Sequence, residues 1–306
     1  MGFIHFLEPY AIVSGICIVV ATSAMERKRS HVVLPSGKSR TRLMLLRKDG
    51  LDVIAIPQSS HAWLSGQLAS AWGNQRFAAP TPNDEVCLAA EQHDIGWLRW
   101  EVAPVLDART GLPQEFCHVP AITHTALWGE GVRRARAFGR YPALLVSLHA
   151  DTIYALTFNF AKASPENAKA VRAFLDEQHR FQAQMAASLR ADPKIAEQAS
   201  PETIERNRLL IAAFDRMSLE ICWGVTKEIK IPNVPTSKDQ RVELTLRPRD
   251  SDGFGLVVDP WPFCTARVSV RAEGKRLHGL FSTQEELIRT LDAAEPVLVT
   301  ADLNAA

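Results

Sequence analysis

The chain has 306 residues, of which 46% are hydrophobic and 23% charged, and a net charge of +1. That length and composition suit a globular protein with a substantial core, and the balanced charge sets aside nucleic acid or an acidic membrane held by bulk electrostatics. Five scattered cysteines (Cys17, Cys87, Cys117, Cys222, Cys264), none in CxxC spacing, argue against a disulfide framework or thiolate zinc site and for a reducing, cytoplasmic setting.

Residues 1–43 are read as an N-terminal extension outside the fold, disordered or a mis-called start, with Met44 opening the first ordered segment. The apolar run Ala11 to Ala21 is short for a bilayer span, so no stable membrane anchor is expected. A secretory signal wants basic residues before its apolar stretch, whereas here Glu8 precedes and Arg27-Lys28-Arg29 follows.

Residues 44–56 predict two short strands around an Asp-Gly turn. Ser59 or Ser60 suits the N-cap of a helix to about Trp72. A Pro-rich loop with Pro80 and Pro82 leads to a helix ending at His93-Asp94, and residues 98–122 read as a long loop. Thr123 is the expected cap of a helix to about Phe138, and Ala143 to Tyr154 is apolar enough for a buried helix or strand. Ser164-Pro165-Glu166 and Ser200-Pro201-Glu202 place a cap, a first-turn proline and an acid at the starts of helices over 165–190 and 201–222.

After Trp223-Gly224 the composition turns to strands, at 240–247, 253–258 and 266–271. Ser282-Thr283-Gln284-Glu285 fits a capping box, and Pro296 to Thr300 a last strand. Asp259-Pro260-Trp261-Pro262-Phe263 reads as a rigid aromatic turn acting as a hydrophobic plug. The organisation expected is a helical core at 44–224 and a β-rich unit at 225–306.

Several polar groups sit on apolar ground, where burial is costly unless they are hydrogen-bonded or bind a cation. His61 shares its face with Leu64 and Leu68; Asp215 stands between Ile211 and Leu219; His124 precedes Leu127 and Trp128; His149 follows Leu145. His93 and Asp94 follow the small Ala89 and Ala90. Singly, each reads first as a satisfied core histidine or a capping aspartate. One cation would account for all of them, and nitrogen and oxygen donors suit Fe or Mn, with Zn and Mg as further options.

The order His61, His93-Asp94, His124, His149, Asp215 resembles the six-ligand H…HD…H…H…D pattern of the HD-domain metal-dependent phosphohydrolase superfamily. Phe214-Asp215-Arg216-Met217-Ser218 looks like its late "ADRL" type of segment, and Glu91-Gln92-His93-Asp94-Ile95-Gly96-Trp97 also resembles a bacterial family of unknown function. The resemblance covers about residues 55–224. It implies a mainly α fold, an HD-like helical core with a smaller C-terminal β-rich (α+β) unit. It also implies two divalent ions held by the six residues, with Asp94 bridging. Many members carry Lys three residues after the HD aspartate, where this chain has Trp97.

The expected activity is hydrolysis of a phosphoester or phosphodiester at the dinuclear centre, with Asp94 and Glu91 as catalytic candidates. Trp97, Arg99 and Arg133 are candidate substrate contacts, and Arg134, Arg136 and Arg140 are further sources of positive charge. Glu91 and the arginines read equally as solvated helix faces. The expected partner is a small, phosphorylated molecule, and homo-oligomer formation stays open. Two alternatives remain: an HD-type diiron oxygenase acting on a small polar substrate, and a non-enzymatic ligand-binding or interaction module.

Overall fold

The computed structural model describes residues 43–102, 104–116, 119–249 and 255–306. The extension expected at 1–43 lies, apart from Leu43, outside the described residues, as do Cys17, Cys117 and the first two residues of the strand expected at 253–258. The Asp-Gly turn joins β1 (Leu43–Asp49) to β2 (Asp52–Ile56) in an antiparallel hairpin. Next come α1 (Gln58–Ala71), α2 (Asn83–Gln92), a 3-10 turn over Ile95–Trp97 and α3 (Leu98–Glu101). The segment 98–122, expected as a loop, holds α3 and a small hairpin of β3 (Leu106–Asp107) and β4 (Leu112–Glu115).

Helices then dominate: α4 (Ala121–Ala135), α5 (Arg140–Thr157), α6 (Pro165–Arg190) and α7 (Pro201–Trp223). Ser164 Oγ accepts from Asn167 N at 3.2 Å and Ser200 Oγ from Thr203 N at 3.3 Å, so both Ser-Pro-Glu starts act as caps. Thr123, expected as a cap, lies inside α4, whose cap position is Pro120. The chain finishes with β5 (Ile229–Pro235), β6 (Arg241–Pro248), β7 (Gly255–Asp259), β8 (Arg267–Leu277), α8 (Gln284–Ala293) and β9 (Pro296–Ala305). The capping of α8 falls one residue later than expected, on Thr283, whose Oγ1 accepts from Glu286 N at 3.2 Å.

The mainly α expectation, a helical core with a smaller β-rich appendage, is overturned. The fold is α+β around a nine-stranded mixed sheet of order β3-β4-β1-β2-β8-β9-β7-β6-β5. The early hairpin belongs to this sheet, because β2 pairs antiparallel with β8 through Val53↔Leu277, Ile54↔Arg276 and Ala55↔Lys275. β1 and β4 are parallel, as are β7 and β9. Alternate residues of β8 and β9 (Val268, Val270, Ala272; Val299, Ala301, Leu303) enter one hydrophobic core with Leu64 and Leu68 of α1 and Leu210, Phe214 and Met217 of α7. Phe263 caps that core, its ring 5.6 Å from that of Trp72.

The sheet also holds α1. Beyond its short pairing with β2, β8 bonds to side chains of this helix: Gln67 Nε2 donates to Arg271 O at 2.8 Å, and Gln67 Oε1 accepts from Arg271 N at 3.0 Å. Ser60 Oγ accepts from Glu273 N at 2.7 Å. Neither Ser59 nor Ser60 caps α1, whose cap position is Pro57. The Glu101 carboxylate does that work from α3, accepting from Gln58 N, from Ser59 N at 3.3 Å and from Ser59 Oγ at 3.2 Å.

Two glycines set helix spacing. A Cβ on Gly66 would lie 2.8 Å from Glu91 Cβ, so α1 and α2 touch there. A Cβ on Gly96 would lie 2.2 Å from Leu127 O and 3.0 Å from Gly131 N, which locks the turn after His93-Asp94 against α4. No helix among the described residues is long and apolar enough to cross a membrane. Gly96→Ala should therefore displace backbone and cost about 1–3 kcal/mol. Thermal denaturation checks this, and an unchanged melting temperature would contradict the close crossing.

Candidate metal centre

Four helices deliver buried side chains to two adjoining groups that share His93: His61 from α1, His93 and Asp94 from the end of α2, His149 from α5 and Asp215 from α7. All five are at most 6% exposed. His61 Nε2 lies 2.8 Å from Asp94 Oδ2, and His93 Nε2 lies 3.6 Å from Asp94 Oδ2 and 3.3 Å from Asp215 Oδ1. His149 Nε2 is 3.5 Å from Asp215 Oδ2. Donors held about 2.0–2.1 Å from one ion, in tetrahedral or octahedral array, stand about 2.9–3.4 Å apart. The observed separations bracket that range.

The surrounding hydrogen bonds decide which nitrogens are free. His93 Nδ1–H donates to Ala90 O at 2.8 Å, leaving Nε2 buried without a hydrogen-bond partner. Around His61, Ser218 Oγ–H donates to Asp215 O at 2.8 Å, and Ser65 Oγ–H donates to Ser218 Oγ at 2.8 Å. Ser218 Oγ is then left to accept from His61 Nδ1–H at 2.9 Å. With Nδ1 on Ser218 Oγ, His61 Nε2 is turned to Asp94 Oδ2 and contacts it at 2.8 Å. Both nitrogens of His149 are buried and unpartnered. Turning a histidine with a second-row acceptor on one nitrogen so that the other meets carboxylates is the arrangement metal ligands require.

His124 differs from the other five. Its Nε2 accepts from Trp128 Nε1–H at 3.2 Å, so Nδ1 carries the proton donated to Tyr154 Oη at 2.7 Å. Among the described residues the ligand groups are His61, His93, Asp94 and His93, His149, Asp215, and His124 stands outside both. It does line the same small chamber of about 30 Å³, with Gln58, Trp97, Phe116, Trp128, Ile153 and Leu219.

Residues 44–279 match a family described as "Protein of unknown function (DUF3891)". The chain belongs to DUF3891. No curated protein and no solved structure matches it. The matched segment contains every residue of the centre and stops before α8 and β9.

Of the other residues singled out from the DUF3891 sequence, Trp97 is buried in the chamber wall. Arg99, Arg133 and Glu91 are exposed, with Arg133 and Arg134 each 2.9 Å from Glu130, and Arg140 pairs with Asp192 at 2.6 Å. Arg136 is exposed too. Sequence reasoning missed Gln58, Ser65, Ser218 and Tyr154. Ser65 and Ser218 were findable as polar groups four and three residues from His61 and Asp215 on the same apolar faces.

Electrostatics favour a cation here. Burial alone would push the His93 imidazole down, but the charges of Asp94 and Asp215 hold it up at about 9. Burial opposes the charge on Asp94 and Asp215, yet their histidine partners hold both carboxyls below the usual range. Burial pushes His149 and His124 down to about 4, so both are neutral at physiological pH.

A metal ion must displace the proton on His93 below about pH 9, so its apparent affinity should rise about tenfold per pH unit between about pH 6 and 8. Manganese titrations across that window check the slope, and a flat profile would contradict a His93 ligand. Mass-spectrometric metal analysis should find metal lost from His93→Ala and Asp215→Ala, whereas His124→Ala should keep at least one equivalent.

Proposed function

We propose that this chain is a metal-dependent hydrolase of a small phosphoester or phosphodiester, working through a His/Asp centre of the HD type. The observation that carries the reading is the convergence of three buried imidazoles, the Nε2 atoms of His93 and His149 having no hydrogen-bond partner, upon two buried carboxylates. The ligand order along the chain supports it through its resemblance to the HD superfamily; that part rests on analogy in sequence.

Iron or manganese, or else zinc or magnesium, would be held by His61, His93, Asp94 and Asp215, with His149 and the remaining carboxylate oxygens available to a second ion. A divalent ion bound there supplies Lewis-acid polarisation of a phosphoryl oxygen and lowers the pKa of a bound water. Ala90 O and Ser218 Oγ orient the rings of His93 and His61 and keep their protons on Nδ1. Trp97, Phe116, Trp128, Ile153 and Leu219 exclude bulk water, which strengthens every charge interaction inside. Glu91 is not carried into this reading, since its side chain is exposed.

One observation favours the oxygenase as a second reading. Among the described residues lining the chamber there is no Lys or Arg to meet a phosphate, and aromatic side chains prevail. Manganese- or iron-loaded protein incubated with p-nitrophenyl phosphate, whose monoanion carries an O–H, separates the two. Release of p-nitrophenol without oxygen uptake, reduced at least about a hundredfold in His93→Ala, is expected. Oxygen uptake without phosphoester cleavage would replace the hydrolase by the oxygenase, and full metal loading with neither activity would leave a binding module.

A further inference from the structure

Gln58, with the indole of Trp97, is a polar side chain of the chamber wall outside both the ligand set and the partners of His124. It is 2% exposed, and its amide oxygen is fully buried with no hydrogen-bond partner. An amide oxygen stripped of water and given nothing in return destabilises the fold. The surroundings nonetheless hold this residue firmly. Its backbone N–H is bonded to the Glu101 carboxylate, which also grips Ser59 N and Ser59 Oγ, and one turn further along α1 stands His61.

The backbone is fixed while the amide oxygen is left without a partner in a residue that lines the chamber, a combination that suits a bound molecule. We infer that Gln58 is a specificity-determining residue that contacts a molecule bound at the metal centre, accepting a hydrogen bond from an O–H or N–H of that molecule. The inference rests on the hydrolase reading and narrows its substrate class. Charge on the phosphoryl group is met by the metal alone, because no Lys or Arg lines the described wall. The neutral amide then selects for a protonated oxygen or a hydroxyl next to the phosphorus. A fully deprotonated oxyanion in the same place would face the amide oxygen lone pairs.

Hydrogen phosphate and sulfate separate these cases, since at slightly alkaline pH both are dianions of the same shape and only phosphate carries an O–H. Manganese-loaded full-length protein is titrated calorimetrically with each, for wild type, Gln58→Leu and Gln58→Glu, with metal content and circular dichroism measured alongside. Wild type should bind phosphate roughly tenfold or more tightly than sulfate, one hydrogen bond to a charged ligand being at stake. Gln58→Leu should bind phosphate about tenfold more weakly with sulfate binding and metal content unchanged, and Gln58→Glu should bind both anions more weakly through added negative charge. Unchanged phosphate binding by Gln58→Leu would overturn the inference and leave the hydrolase reading standing. Loss of metal from both variants would overturn it too, making Gln58 a support for α1. Wild type that holds manganese but takes up no phosphate would remove the phosphoester reading and this inference together.

Discussion

Two carboxylates buried around one imidazole, that of His93, are the constraint on which the rest of this molecule depends. Asp94 and Asp215 come from different helices and meet three imidazoles rather than a lysine or arginine. Charge of that kind is tolerated in a low-dielectric interior only when a cation compensates it. The hydrogen bonds that His61 and His93 donate through Nδ1 to Ser218 Oγ and Ala90 O turn both Nε2 atoms toward the carboxylates. Among physical solutions, a metal ion satisfies all of them at once, with a proton on His93 as the weaker substitute.

The sheet is tied to this centre through α1. Gln67 and Ser60 hydrogen-bond the backbone of β8 where no strand covers it, and His61 is the neighbour of Ser60. Glu101 fixes the start of the same helix, and Gly66 lets α2 approach closely enough for His93-Asp94 to reach His61. Strand, helix end and ligand therefore form a continuous chain of contacts. The β-rich part of the molecule supports the ligand geometry as well as burying its own core.

The longer helices and the burial of the candidate site's polar groups were legible in the sequence because both write themselves locally. Ser-Pro-Glu at 164–166 and 200–202 marks a helix start by cap, proline and dipole charge, and His61 and Asp215 betray themselves as polar groups on apolar faces. The sheet was not legible, because its decisive pairing sets Val53 against Leu277, and nothing local joins them. β5 escaped because Pro232 and Pro235 demote a run that survives as an edge strand. Glu101 caps a helix from more than forty residues away, beyond any capping motif. His124 has the same pattern on its helix as the ligands, but Trp128 and Tyr154 count as apolar in a sequence while offering an N–H and a hydroxyl in the fold. Their polar handles satisfy the ring that the pattern marks as a ligand.

The lining of the chamber has a consequence for what can pass it. Trp97, Phe116, Trp128 and Leu219 stand beside the buried imidazoles and carboxylates. An ion crossing that apolar lining would have to shed much of its hydration, a cost that slows exchange whatever the final bonds are worth. Occupancy of such a site would then lag behind changes in the surroundings.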